Sequence, residues 1–167
     1  MGKAQSATAI DIADLRDVHE TNFLGLVQTT TTFMPLLRKS RGAVILNVTS
    51  ELGSNSSQAN WDIYIPAVAY KSSKAAVNSY TIGLARELQA EGIRVNCVSP
   101  GLTSTKLNDF TSRGKTAKDG AKVLLPWALM DEMDSTGNSM ELSSFVENTN
   151  KRVLGLYIGG NGKEMPW

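Results

Sequence analysis

The sequence predicts an α/β fold in which parallel strands are joined by a long helix, and three observations carry that reading. Residues 43–48 and 93–99 are short apolar, partly β-branched runs of the kind that fill strands buried on both faces. Between them, from Ala67 to Ala90, Ala, Ser, Leu and Val recur at helical spacing, and Glu91-Gly92 supplies the stop. A helical crossover keeps the two strands parallel and sets their carboxyl ends, Ser50 and Pro100-Gly101, on one rim of the sheet.

The remaining elements follow in order. Residues 10–41 place Leu15, Val18, Phe23, Leu26, Val27, Met34 and Leu37 near helical spacing behind Asp11 as N-cap, with Pro35 bending the helix or marking a break near its end. Residues 51–66, rich in Gly, Ser and Asn, read as a surface loop on which Trp61 and Tyr64 either line a substrate mouth or pin the loop. Residues 115–133 read as a further helix kinked at Pro126, residues 134–152 as an irregular insertion, and residues 154–158 as a short last strand.

Composition narrows the function. The 167 residues amount to one domain, and 41% hydrophobic with 20% charged residues are globular values. Seventeen Lys plus Arg against sixteen Asp plus Glu leave a net charge of +1, so no global field draws nucleic acid or anionic lipid. One cysteine, Cys97, and one histidine, His19, are too few for a disulfide framework or a Cys/His metal site. Cys97 in mid-strand reads as an inert core thiol and His19 as a helix-surface residue. No secretory leader or membrane-spanning run is present, which reads as a cytoplasmic protein without a membrane partner.

Tyr70 and Lys74 stand at i and i+4 on the long helix and project from one face. An ammonium ~4 Å from a phenol, at an effective dielectric near 20, favours the phenolate by about 4 kcal/mol, or about three pKa units. That pair, with Ser50 and Pro100-Gly101, lies where open α/β sheets bind ligands.

At these residues the sequence resembles the short-chain dehydrogenase/reductase family, through Asn47-Val48-Thr49-Ser50, Tyr70-Lys71-Ser72-Ser73-Lys74-Ala75-Ala76 and Val95-Asn96-Cys97-Val98-Ser99-Pro100-Gly101. Gly120-Ala121 and the terminal Glu164-Met165-Pro166-Trp167 resemble its carbonyl-reductase side. The resemblance implies a doubly wound, Rossmann-like parallel sheet and interconversion of a small carbonyl and an alcohol with NADP or NAD. Tyr70 would exchange a proton with the substrate oxygen, and Lys74 would lower the Tyr70 pKa and hold the nicotinamide ribose. Ser50 would hydrogen-bond the carbonyl oxygen, and Asn22 matches the asparagine that holds a water beside the lysine. Thr103 and Thr105, after Pro100-Gly101, match positions that meet the nicotinamide amide and phosphates. Ser57, thirteen residues before Tyr70, competes with Ser50 for the serine role. The small residues Ser72, Ser73, Ala75, Ala76, Ser79 and Gly83 fit a homodimer contact, although the carbonyl-reductase branch includes monomers.

The sequence also departs from the family. It carries neither the Gly-x-x-x-Gly-x-Gly phosphate loop nor the residue that selects NAD over NADP, and the glycines at 155, 159, 160 and 162 have the wrong spacing to replace the loop. Residues 1–167 therefore read as a single, incomplete NAD(P)-binding domain, truncated to about three strands with flanking helices, whose cofactor binding alone is in doubt. The alternative reading is a non-catalytic family member or interaction module.

Overall fold

The structure, a computed structural model, describes residues 5–129 and 157–165. Its sheet has three parallel strands in the order β1 (Val44–Val48), β2 (Arg94–Val98) and β3 (Tyr157–Ile158). Val44 pairs with Arg94 and Val48 with Val98, so β1 and β2 end level. The expected residues 154–156 of the last strand and the insertion at 134–152 lie outside the described residues.

Helices cover both faces of the sheet, as a doubly wound fold requires. On one face, Leu84, Ala85 and Leu88 of α4 (Val68–Leu88) pack with Ile45 and Val95. On the other, Trp127 of α5 (Ala117–Ala128) packs with Val98 and Ile158, with Leu46 against the cluster. Central β2 is buried through Val95, Cys97 and Val98, as its apolar run foretells. β1 differs from expectation: Ile45 and Asn47 are buried, but Val48 is 44% exposed. Its far edge has no strand partner among the described residues, and an open groove of about 560 Å³ lies along it.

The first helical stretch is continuous in three parts, α1 (Ile12–His19), a π turn (Glu20–Leu24) and α2 (Gly25–Leu37). Asp11 caps it, accepting the Ala13 N–H at 2.8 Å, as read from the sequence. Pro35 falls in the last turn, and the helix ends two residues later. Residues 51–66 are more ordered than a loop. Ser50 accepts the Leu52 N–H to cap a 3₁₀ turn at Glu51–Gly53, and Ser54 accepts the Ser57 N–H to cap α3 (Asn55–Ala59). Ser54, which reads as part of a loop, and Ser50 at the strand end are thus both helix caps.

Beneath the rim lies a buried polar cluster. Asn78 of α4 accepts from the Thr49 hydroxyl at 2.6 Å and donates to the Gly53 carbonyl at 3.0 Å, while Asn47 donates to Thr81 at 2.9 Å. These bonds tie the end of β1 and the turn after it to α4. Asn78→Ala would strand a buried hydroxyl and a buried carbonyl. It should lower stability by about 2–4 kcal/mol, read as an earlier urea midpoint at unchanged slope.

Candidate active site

The end of β1 runs directly into the candidate site. Thr49 donates its N–H to the Val98 carbonyl at 2.9 Å, which aligns the strand ends and leaves Ser50 at the rim. The Ser50 side chain lies close enough to the Tyr70 phenol to draw its pKa down. Tyr70 lies in the first turn of α4, and Lys74, one turn on, places Nζ 5.8 Å from the Tyr70 ring centroid while donating to the Val48 carbonyl at 3.1 Å. Residues from β1 and α4, distant in sequence, thus converge.

The electrostatics differ from the simple pair that the spacing suggests. Burial raises the Tyr70 phenol above its ordinary value, and the Ser50 hydrogen bond opposes that rise. Burial also lowers the Lys74 ammonium from its ordinary value. The Lys74 ammonium is 5.8 Å from the Tyr70 ring centroid and is anchored to the backbone of β1 by its hydrogen bond to the Val48 carbonyl.

Asn22 sits in the π turn and donates to Ser73 Oγ at 3.0 Å, and Ser73 donates to the Tyr70 carbonyl at 2.8 Å. Asn22 and Lys74 both line the groove beside β1. His19 is not a surface histidine: it is half-buried, with Nε2 2.9 Å from Ser72 Oγ on α4. Ser57 is drawn into the α3 cap, 2.9 Å from Ser54 Oγ, whereas Ser50 reaches Tyr70. Tyr64 is exposed, accepts the Ala7 N–H at 3.3 Å and lies under Lys71, so it pins the amino-terminal segment. Trp61 is half-buried.

The end of β2 forms the other wall. Ser99 Oγ accepts N–H groups from Glu51 at 3.2 Å and Gly101 at 3.1 Å, joining the two strand ends. Gly101 has φ +72°, a conformation that favours glycine. Thr103 donates to the Gly101 carbonyl at 3.1 Å and packs on Gly120, where a Cβ would come within 2.7 Å of its hydroxyl. The Thr105 N–H donates to Asn108 at 3.0 Å. Pro100 is half-buried beside these residues. Cys97 is buried and its thiol is pushed up to about 12 by burial, as expected of an inert core cysteine. The described residues include no cluster of three or more His, Cys, Asp or Glu side chains, and no helix long and apolar enough to cross a membrane.

Sequence reasoning did not single out Glu51 or Asn78, and it read Ser73 only as a small residue of a helix contact and Ser99 only as part of a strand-end motif. Each acts through a partner far away in the chain or through a backbone group, which local spacing does not reveal.

Comparison with known proteins agrees with the fold. Residues 1–116 match the family model described as short chain dehydrogenase, and the chain belongs to that family. It is 34% identical over 100 residues to dehydrogenase/reductase SDR family member 9 of Bos taurus, covering 60% of this chain and 28% of that protein. It is 36% identical over 118 residues to sulfoacetaldehyde reductase 2 of Chromohalobacter salexigens, covering 70% of this chain and 44% of that protein. The chain thus spans less than half the length of these two curated relatives. Among solved structures, NADPH-bound carbonyl reductase from chicken fatty liver matches with a TM-score of 0.74 at 22% identity, over 100% of this chain and 62% of that one. Carbonyl reductase Sniffer of D. melanogaster matches with a TM-score of 0.72 at 21% identity, over 99% and 62%. The shared fold is the Rossmann-like, doubly wound sheet.

Tyr70 and Lys74 make opposite contributions to stability. Tyr70 has a folded-state pKa above its unfolded value of about 10, so its contribution is complete below about pH 10 and is lost as pH rises through the folded value. Lys74 has a folded-state pKa below its unfolded value of about 10.4, so its contribution is complete above that value and is lost as pH falls through the folded one. In urea midpoints measured from about pH 7 to 11, Tyr70→Phe should flatten the alkaline fall. Lys74→Met should be no less stable than wild type at the neutral end, because it no longer buries an ammonium.

Proposed function

We propose that these residues form the proton-transfer half of an oxidoreductase site that interconverts a small carbonyl compound and its alcohol with NADP or NAD. The observation that carries this reading is the Ser50–Tyr70 hydrogen bond at the carboxyl-end rim, with Lys74 one turn along the same helix face. Family membership supports the same chemistry.

The donor set fits a nicotinamide dinucleotide. Lys74 uses one of its three N–H donors on the Val48 carbonyl, and its remaining donors suit ribose hydroxyls. Tyr70, Lys74, Pro100, Gly101, Thr103 and Thr105 are the residues we assign to hold it. When bound, the cofactor supplies or accepts the hydride.

Tyr70 acts as the general acid and base. Burial keeps its phenol protonated at neutral pH, the form that gives a proton to a carbonyl oxygen as that oxygen gains charge. Ser50 donates a hydrogen bond to the same oxygen, the preorganised stabilisation that acyl and carbonyl chemistry needs. Lys74 holds a positive charge behind the phenol and helps Tyr70 to shed its proton. Asn22, through Ser73, holds the Tyr70 end of α4 in place.

A second reading is a non-catalytic family member or interaction module that uses the same fold without turnover. NADPH fluorescence titration with the chain alone, and after mixing with a separately expressed amino-terminal half of a related reductase, separates the two. Weak or no binding alone, with carbonyl reduction in the mixture, supports the enzyme reading. No binding or turnover in either supports the module.

In the active mixture Ser50→Ala should lower kcat roughly 10²–10³-fold. Ser57→Ala, which loosens only the cap of α3, should change it by less than about threefold, or ~0.6 kcal/mol of barrier. The reverse order would move the oxygen-stabilising role to Ser57.

A further inference from the structure

Glu51 follows Ser50 directly and is held in two directions. Its side-chain Oε1 accepts the Gly160 N–H at 2.8 Å, and its own N–H donates to Ser99 Oγ at 3.2 Å. Lys115 grips the same glycine from the other side, donating from Nζ to the Gly160 carbonyl at 2.9 Å. A carboxylate and an ammonium from separate parts of the chain thus clamp one residue of the segment after β3.

The clamped glycine has no room for a side chain. A Cβ built on Gly160 would lie 2.4 Å from Gly101 Cα and 2.7 Å from Gly101 N, so the two backbones touch. The turn Glu51–Gly53 is equally confined on its inner side. A Cβ on Gly53 would lie 2.9 Å from the Lys74 carbonyl carbon and 2.9 Å from Lys74 Cβ. This short turn therefore stands between Gly160 on one side and α4, with Tyr70 and Lys74, on the other. Ser50 is the residue that opens it.

We propose that Glu51 is a positioning residue which, together with Lys115, clamps Gly160 and thereby fixes the Ser50 hydroxyl against the Tyr70 phenol. This rests on the reading of Ser50 and Tyr70 as the reacting pair. The clamp passes the position of the segment after β3 into the site through a single turn of backbone. Both clamp residues act through Gly160 and the turn.

The test uses the full chain and needs no turnover. Alkaline tyrosinate absorbance, with the Tyr70→Phe curve subtracted, reports the titration of Tyr70 itself, and hydrogen exchange of residues 157–165 reports the clamp. Because the Ser50 hydrogen bond opposes the upward push of burial, losing it moves the Tyr70 midpoint up, and Ser50→Ala sets the size of that rise. Glu51→Ala should move the midpoint the same way and speed Gly160 amide exchange by about tenfold or more, the effect of losing a charge-assisted hydrogen bond. Glu51→Gln, which keeps the acceptor, should restore both readouts close to wild type. Lys115→Met leaves the turn's own side chain intact and should shift both readouts in the direction of Glu51→Ala.

A midpoint that rises in Ser50→Ala but stays at the wild-type value in Glu51→Ala and Lys115→Met overturns the clamp and leaves the reacting pair standing. A midpoint unmoved by Ser50→Ala overturns the pair, and the clamp with it. Should Glu51→Ala not fold, the Glu51→Gln and Lys115→Met readouts decide: recovery in the first with a shift in the second supports the proposal, and no shift in Lys115→Met overturns it.

Discussion

The in-step parallel pairing of β1 with β2 is the constraint on which the rest of the molecule depends. Val48 opposite Val98, followed by the Thr49 N–H on the Val98 carbonyl, brings both chains to the rim at the same height. A slip of one residue would turn Ile45 and Asn47 from α4 to the opposite face and carry Ser50 away from Tyr70. Everything polar at the rim, from the Ser99 hydroxyl joining Glu51 to Gly101 to the Tyr70 phenol, presumes that alignment.

Holding the rim has an energetic cost that the interior meets with hydrogen bonds. Asn47, Thr49, Asn78 and Thr81 are buried polar residues, and each has a partner within this cluster. Their net contribution over an apolar core is modest, but a lost partner is expensive, so the cluster tolerates one arrangement only. Tyr70 and Lys74 are less comfortable. Burial disfavours the charged form of both, and the hydrogen bonds to Ser50 and to the Val48 carbonyl offset part of that penalty. A site whose groups are strained in this direction gains from any ligand that brings hydroxyls or developing negative charge to the rim.

Much of this is legible in the chain, and the failures have physical causes. The strands at β1 and β2 and the helix between them stand out because apolar runs and a helical repeat are bounded by Gly42, Gly92 and Pro100-Gly101. The spacing of Tyr70 and Lys74 tells correctly which face they share, since α4 is regular there. Spacing does not tell where a long side chain ends, and the Lys74 ammonium donates to a strand carbonyl that the helix repeat does not reveal. Ser54 and its neighbours suggest loop because the same hydroxyls that favour turns also cap short helices. Asn78 carries no mark of its own within the helix, and its role is defined only once Thr49 and Gly53 are brought to it. Glu51 is the hardest to foresee, because its partner Gly160 lies near the other end of the chain.

The central claim is that Tyr70 passes a proton at a carbonyl oxygen on this rim while hydride moves to the attached carbon. The most direct measurement supplies a ketone and NADPH carrying deuterium at both C4 positions to the chain complemented with the amino-terminal half of a related reductase, and follows deuterium into the product by mass spectrometry. The account predicts an alcohol with one deuterium on the carbinol carbon for the wild-type chain and almost none for Tyr70→Phe. Equal deuterated alcohol from both chains would contradict it.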